Sequence, residues 1–387
     1  MRFQSLSRPK GTLAAPLCLP RRSRANAGRR VGDHVARHGN PPWRAGNAPW
    51  LQLQAGCFLL LLLLLFPVCL RADGVSELAA FSVFDKIDLA DLAKSDVKTA
   101  HGPPMSEARF LSVQSCYVAP GNPARQLEAL RQWNPLKHRE LKVFLHADVR
   151  ANASTADFAR LKSAPDNATV RSLVNATTKM SSELQLSREE AKKFSGNAGG
   201  GGPMPAAVAD FWSNLLSNRV RSFSSGGAAA QPPYDHSGDS LEPAREFAGL
   251  LKQQEKIRRQ FSGFLGQTGI GRGPGASPEL YWELLEVDDQ GVLTLGASYA
   301  RGGGDGPYQA ADVLYYASGG YYVGLTLYQM WPVTVDGKAS TLVWRGDMIS
   351  SAALASLHGV ERLASESAMM KDISRSVTLF RRDSGGK

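Results

Sequence analysis

The sequence predicts an α+β protein in which an antiparallel β-meander carries a closing C-terminal helix and a helical insert. Two observations lead to this prediction. After residue 278 the chain consists of runs rich in β-branched and aromatic residues, separated by turns of only a few residues. Such short connections join antiparallel neighbours, because parallel strands need crossovers of a dozen residues or more. Before that point, apolar residues recur at helical spacing over residues 206–223 and 242–265.

The elements follow one another in a simple order. Two strands, at residues 110–118 and 141–146, bracket a helix that begins at Asn122-Pro123, where Asn caps the helix and Pro suits its first turn. The meander then supplies five strands, at residues 280–287, 292–300, 311–316, 321–333 and 340–348. A terminal helix over residues 351–380 ends the fold, with an apolar stripe formed by Val360, Leu363, Met370, Ile373, Val377 and Phe380.

This order of elements resembles the helix-grip arrangement of START-like domains, which bind lipids and small ligands. There, a curved antiparallel sheet wraps a long C-terminal helix around a cavity, and the resemblance covers residues 108–382. It implies a cavity between the meander and the closing helix. The helical insert, at about residues 150–270, departs from the pattern.

The distribution of charge excludes nucleic acid as the main partner. The 387 residues include 45 Lys and Arg and 35 Asp and Glu, for a net charge of +10. Eleven of the basic residues but a single acid, Asp33, fall in residues 1–72, which leaves residues 73–387 with no net charge. Binding along a phosphate backbone requires a basic surface, and the predicted folded part has no basic excess.

A targeting segment lies between the basic N-terminal stretch and the predicted fold. Residues 45–70 contain no charged residue, and Phe58–Phe66 reads FLLLLLLLF. A basic region, an apolar core and a small residue at the cut, here Ala72, follow the order of a secretory signal. We therefore expect the protein to be exported, to the periplasm or the outside of the cell.

Three segments follow from this interpretation. Residues 1–50 are predicted to be a disordered extension, or to lie upstream of the true start codon, and residues 51–72 to be a signal peptide. An uncleaved anchor at residues 55–70 is the alternative, and it would be the only contact with a membrane. Residues 73–387 then form a single large domain. Its one cysteine, Cys116, has no partner for an intramolecular disulfide.

Aromatic residues suggest a binding face in the meander. Eight of the ten tyrosines lie between residues 281 and 328. Each ring offers a stacking surface with one polar group, which suits an apolar or carbohydrate ligand, although aromatics also favour strands for packing alone. The predicted ligand-lining residues are Tyr281, Trp282, Tyr316, Tyr322, Tyr328 and Trp331.

Strand alternation assigns the faces of residues 321–333. It places Leu325 and Leu327 on one face, which we expect to pack on the closing helix. Thr326 and Tyr328 fall on the opposite face, which we expect to meet solvent or a ligand.

The alternative hypothesis is a hydrolase or other enzyme of unfamiliar type. His146 and Asp148 are two residues apart at a strand end and share a face, but the spacing fixes no third metal ligand. Cys116 would need a base supplied by the fold, because no cysteine-hydrolase motif surrounds it. We predict no catalytic residue, no metal and no cofactor. The leading hypothesis is an exported or tethered, non-enzymatic binding or structural protein with a small apolar ligand.

Overall fold

The computed structural model describes residues 73–94, 97–196, 202–271, 275, 277–303 and 306–385. The predicted extension at residues 1–50 and the targeting segment at residues 51–72 lie outside this part. Across the described residues, no helix is both long enough and apolar enough to cross a bilayer.

A single antiparallel sheet of eight strands forms the centre of the protein, in the order β1-β2-β8-β7-β6-β5-β4-β3. The α+β meander predicted from the sequence is confirmed, and both earlier strands join it: β3 pairs with β4, and β2 pairs with β8. The strands are β1 Lys98–His101, β2 Phe110–Pro120, β3 Val143–Val149, β4 Glu279–Val287, β5 Gln290–Gly303, β6 Gly306–Ala317, β7 Tyr321–Val335 and β8 Lys338–Ser351.

Two hairpins show why the meander forms where the sequence places its turns. Asp288 and Asp289 join β4 to β5 with φ of 48° and 60°. Asp336 and Gly337 join β7 to β8 with φ of 49° and 71°. Two-residue turns with positive φ match the twist of antiparallel strands, and Asp and Gly tolerate that conformation.

Helices cover both faces of the sheet. Those between β3 and β4 form the insert, and the last helix is the closing helix, α11. The helices are α1 Gly74–Phe81, α2 Leu89–Lys94, α3 Pro123–Gln132, α4 Ala168–Thr178, α5 Arg188–Ala191, α6 Ala206–Gly226, α7 Pro243–Lys252, α8 Glu255–Gln260, α9 Ser262–Leu265, α10 Ala352–Ala355 and α11 Gly359–Asp383.

Each face of the sheet has its own hydrophobic core. The insert face packs on the insert and on α1 and α2, and its core contains Leu325 and Leu327. The closing face packs on α3 and α11, and its core contains Tyr328. The expectation that Leu325 and Leu327 face the closing helix is therefore wrong. They face the insert instead, because the amphipathic insert helices bury their apolar sides on that face.

Only the second half of α11 packs as expected. Ile373 and Val377 are buried, whereas Val360 and Leu363 are 82% and 61% exposed. The first turns are held instead through Arg362, which donates hydrogen bonds to the carbonyls of Ala108 and Phe110 at the start of β2. A helix-grip cavity does not follow from this arrangement, because the sheet is open and covered on both faces.

Candidate functional site

The six predicted ligand-lining aromatics do not converge. Tyr281 and Tyr328 point to the closing face, whereas Trp282, Tyr316 and Trp331 belong to the core of the insert face. Tyr322 is partly exposed. Strand alternation explains part of the division, since consecutive residues such as Tyr281 and Trp282 must point in opposite directions.

On the closing face, Tyr281 takes part in a row of buried polar side chains. Its hydroxyl donates to Oδ1 of Asp312 at 2.8 Å, across the position of Gly296 on the intervening strand, where any Cβ would clash with the ring. One strand further, Thr326 donates to Asp347 at 2.9 Å. The void above this row, about 10 Å³, has room for about one water molecule.

Tyr328 completes that network. Arg345 binds Asp347 through two nitrogens, at 2.7 and 2.5 Å, and its guanidinium lies 5.6 Å from the centre of the Tyr328 ring. Arg345 is fully buried and Tyr328 is 2% exposed. Both tyrosines of the closing face are thus placed in the core.

The three aromatics of the insert face also pack inside the protein. Trp282 lies against Phe158 with ring centroids 5.5 Å apart. The indole of Trp331 donates to Glu77 of α1 at 2.8 Å. Tyr316 lies under the guanidinium of Arg219 at 4.2 Å; this arginine is paired with Glu190 of α5.

His146, Asp148 and Cys116 do not form one catalytic centre. Nδ1 of His146 is 3.2 Å from the buried carboxylate of Glu283 on β4, and Asp148 is exposed on the same strand, β3. Cys116 lies on β2, which is six strand spacings away, or about 29 Å at roughly 4.8 Å per strand. Burial raises the pKa of its thiol to about 12, so it carries no thiolate at neutral pH.

Tyr322 alone among the six aromatics lines an open cleft. The pairing of β7 with β8 shifts between Tyr321 and Val323, so Tyr322 is the extra residue of a β-bulge. Bulges redirect a side chain out of the regular alternation. The redirected ring lines a cleft of about 660 Å³ at the end of the sheet where β7 begins and β8 ends.

A second tyrosine supports the Tyr322 ring. Tyr234, in the segment between α6 and α7, stacks on it with ring centroids 6.0 Å apart, and its hydroxyl donates to the Tyr322 carbonyl at 3.0 Å. Arg219 lies 5.3 Å from the Tyr234 ring. The aromatic wall of the cleft is therefore held in place by Tyr234. Because the Tyr322 ring is already ordered, it loses less conformational entropy when a ligand binds.

A charged pair forms the neighbouring wall. Arg109, just before β2, donates to Glu246 of α7 through Nε at 2.8 Å and Nη2 at 3.1 Å. Ser350 adds a third hydrogen bond to Glu246, at 2.6 Å. The hydrogen bonds from Arg109 to Glu246 raise the pKa of the guanidinium, while burial raises the pKa of Tyr322 and the charge on Glu246 raises it further. Glu246 is 4% exposed in its side chain and Arg109 is 31% exposed, so the arginine faces the cleft.

Arg109, Glu246 and Tyr234 belong to the site but are not among the residues predicted from the sequence. The segment with Tyr234 resembles a flexible connection because it is rich in Gly, Ser and Pro, yet Tyr234 pairs with Leu241 in an isolated β-bridge and walls the cleft. A tyrosine following two prolines, at Pro232-Pro233, is the one local signal that could have marked it as ordered.

The described residues contain no group of three or more His, Cys, Asp or Glu side chains arranged to hold a metal ion. The chain matches no protein-family model, no curated protein and no solved structure.

Proposed function

We propose that the protein is an exported, non-enzymatic binding protein and that its ligand occupies the cleft at Tyr322. One observation carries the proposal: a β-bulge turns an aromatic ring into a cleft whose walls are fixed by the Tyr234 stack and the Arg109–Glu246 pair. Small-molecule sites are usually clefts of about 300 to 1,000 Å³ with a few fixed polar groups. Because charged side chains line this cleft, we propose a polar ligand in place of the apolar one expected from the sequence.

The hydrogen bonds of Glu246 favour a binding role for the charged wall over a catalytic one. Both oxygens of Glu246 already accept hydrogen bonds, from Arg109 and Ser350. With both oxygens engaged, the carboxylate serves as a fixed partner for Arg109. It holds Arg109 in place and so keeps this wall of the cleft fixed.

Export is the second part of the proposal. It rests on the charge asymmetry and on the apolar run of residues 58–66. Helix α1 supports it, because this helix begins two residues after the predicted cut at Ala72 and already belongs to the core. Leu78 is buried, and Glu77 accepts the hydrogen bond from Trp331. Cleavage after Ala72 would therefore keep the packed elements whole, as would an uncleaved anchor at residues 55–70.

Native mass spectrometry of protein purified from its own host tests the binding proposal. We expect a copurifying small molecule on the wild-type chain and its loss from Tyr322→Ala. Tyr308→Ala is the matched control, because Tyr308 is also partly exposed but lies where β6 begins, at the other end of the sheet. Retention of the molecule by Tyr322→Ala, or equal loss from both variants, would reject the cleft as the site.

A further inference from the structure

We propose that the Tyr322 cleft selects organic cations, and that its ligand is an extended alkylammonium compound of the polyamine type. This inference rests on the proposed function and names the class of ligand. It combines the cavity with two further features: the sign of the charge around it and the face of the Tyr322 ring.

Acidic side chains outnumber basic ones in the lining of the cleft. Five carboxylates face three basic groups, and the residues are Glu107, Glu183, Asp239, Glu242, Glu246, Arg109, Arg245 and Lys252. Two of the basic groups are already held by cleft acids, Arg109 by Glu246 and Arg245 by Glu242 at 2.9 Å. Glu183 and Asp239 have no ion-pair partner within the described residues. The excess negative potential attracts cations and opposes anions.

The aromatic ring lies inside this negative region. Tyr322 lines the cleft together with Asp239 and the Arg109–Glu246 pair. Burial raises the pKa of Tyr322; the charges of Glu246 and Asp239 raise it further, and the charge of Arg109 lowers it. The face of an aromatic ring attracts a cation within about 6 Å of its centre. Because Glu246 already neutralises Arg109, an ammonium group over Tyr322 would meet the ring face and the unpaired carboxylate of Asp239 in the same cleft.

The size of the cleft indicates more than a single ammonium ion. Its volume of about 660 Å³ falls in the range of small-molecule sites and leaves room for an alkyl chain. Two unpaired acids line the cleft, Glu183 before α5 and Asp239 before α7, which suits a ligand with more than one positive charge.

Isothermal titration with spermidine tests the inference. A diol and a dicarboxylate of equal chain length are the matched neutral and anionic probes. We expect spermidine to bind, more weakly as salt is raised, and the other two to bind far more weakly or not at all. Asp239→Asn should weaken spermidine binding about twofold to fivefold, and Tyr322→Leu about threefold to thirtyfold. Asp336→Asn is the control, because Asp336 is an exposed acid in the β7–β8 turn at the far end of the sheet.

The outcomes separate this inference from the proposed function. If spermidine does not bind, or binds no better than the diol, the cationic ligand class is wrong. The binding proposal survives that result if a different molecule copurifies and is lost on Tyr322→Ala. If spermidine binds but Asp239→Asn and Asp336→Asn weaken it equally, attraction is general to the surface and the cleft is not the site.

Discussion

Thr326 and Asp347 face each other on β7 and β8, with the threonine hydroxyl 2.9 Å from the carboxylate. Thr326→Val would leave a buried carboxylate with one donor fewer, at a cost of about 1 to 3 kcal/mol in the free energy of unfolding. Leu325→Ala, on the insert face, should cost about 2 to 5 kcal/mol. Urea unfolding of both variants measures these costs.

Thr334→Val provides the control for the polar row, because Thr334 lies on the same strand but is exposed. It should leave the free energy of unfolding unchanged. If Thr326→Val behaves like Thr334→Val, then Thr326 faces solvent, and the buried row across the closing face is incorrect.

The carboxyl group of Asp372 makes the stability of the protein depend on pH. This carboxylate lies in α11 with a side chain 7% exposed, and burial raises its pKa to about 6. Arg375, Lys371 and Lys142 oppose the shift, and Asp288 adds to it. The folded protein therefore holds a proton that the unfolded chain, with an aspartate pKa of about 3.9, releases earlier.

The stability due to Asp372 is thus fully present below pH of about 4 and is lost as the pH rises through about 6. Each pKa unit corresponds to about 1.4 kcal/mol. Asp372→Asn should remove this decline and stabilise the protein at neutral pH. Thermal unfolding from pH 4 to 8 measures it, and an equally steep decline in the variant would show that another group is responsible.

At the scale of elements, α11 divides into two halves with different energetic roles. Ile373 is fully buried against the closing face, and Leu363, three turns earlier on the same helix, is 61% exposed. Ile373→Ala should therefore lower the free energy of unfolding by about 2 to 5 kcal/mol. Leu363→Ala should change it by less than about 0.5 kcal/mol. Denaturant unfolding compares them, and equal costs would mean that the first half packs as tightly as the second.

The sequence predicts strands better than it predicts what covers them. Alternation and turns of positive φ locate the meander, whereas β1, only four residues long, lacks enough residues for a pattern. The face assignment of β7 fails for a physical reason. Thr326, Asp312 and Asp347 resemble a solvent-facing set, but all three are buried: Asp347 accepts a hydrogen bond from Thr326, and Asp312 accepts one from Tyr281.

At the scale of the whole molecule, the candidate site is only partly predictable from the sequence, because residues far apart in the chain complete it. The sequence nominates Tyr322 as an aromatic in a strand. It does not indicate Arg109 and Glu246, which are 137 residues apart and meet only because the insert returns α7 to the start of β2. A bulge also leaves no mark in residue type, so Tyr322 cannot be distinguished from the buried Tyr281 and Tyr328 before the pairing is known.

The position of α1 at the start of the fold predicts how far the N-terminus can be truncated before the protein loses stability. A chain that begins at Gly74 should melt like one that begins at Asp73, because α1 is whole in both. A chain that begins at Ser82 loses Leu78 and Phe81, which are both buried, and each is worth about 1.5 to 3 kcal/mol. Thermal unfolding compares the two chains, and N-terminal sequencing of exported protein locates the natural start. Equal melting temperatures would show that α1 does not contribute to the stability of the core.

The most direct test of the central claim follows the tyrosines themselves. Fluorine NMR of protein labelled with fluorotyrosine reports on all ten, and each signal can be assigned by a Tyr→Phe variant. On addition of the molecule that copurifies with the wild-type protein, we predict that the Tyr322 signal shifts and that the Tyr281 and Tyr328 signals stay in place. Movement of Tyr281 and Tyr328 with an unchanged Tyr322 would place the ligand beneath the closing helix and contradict the account.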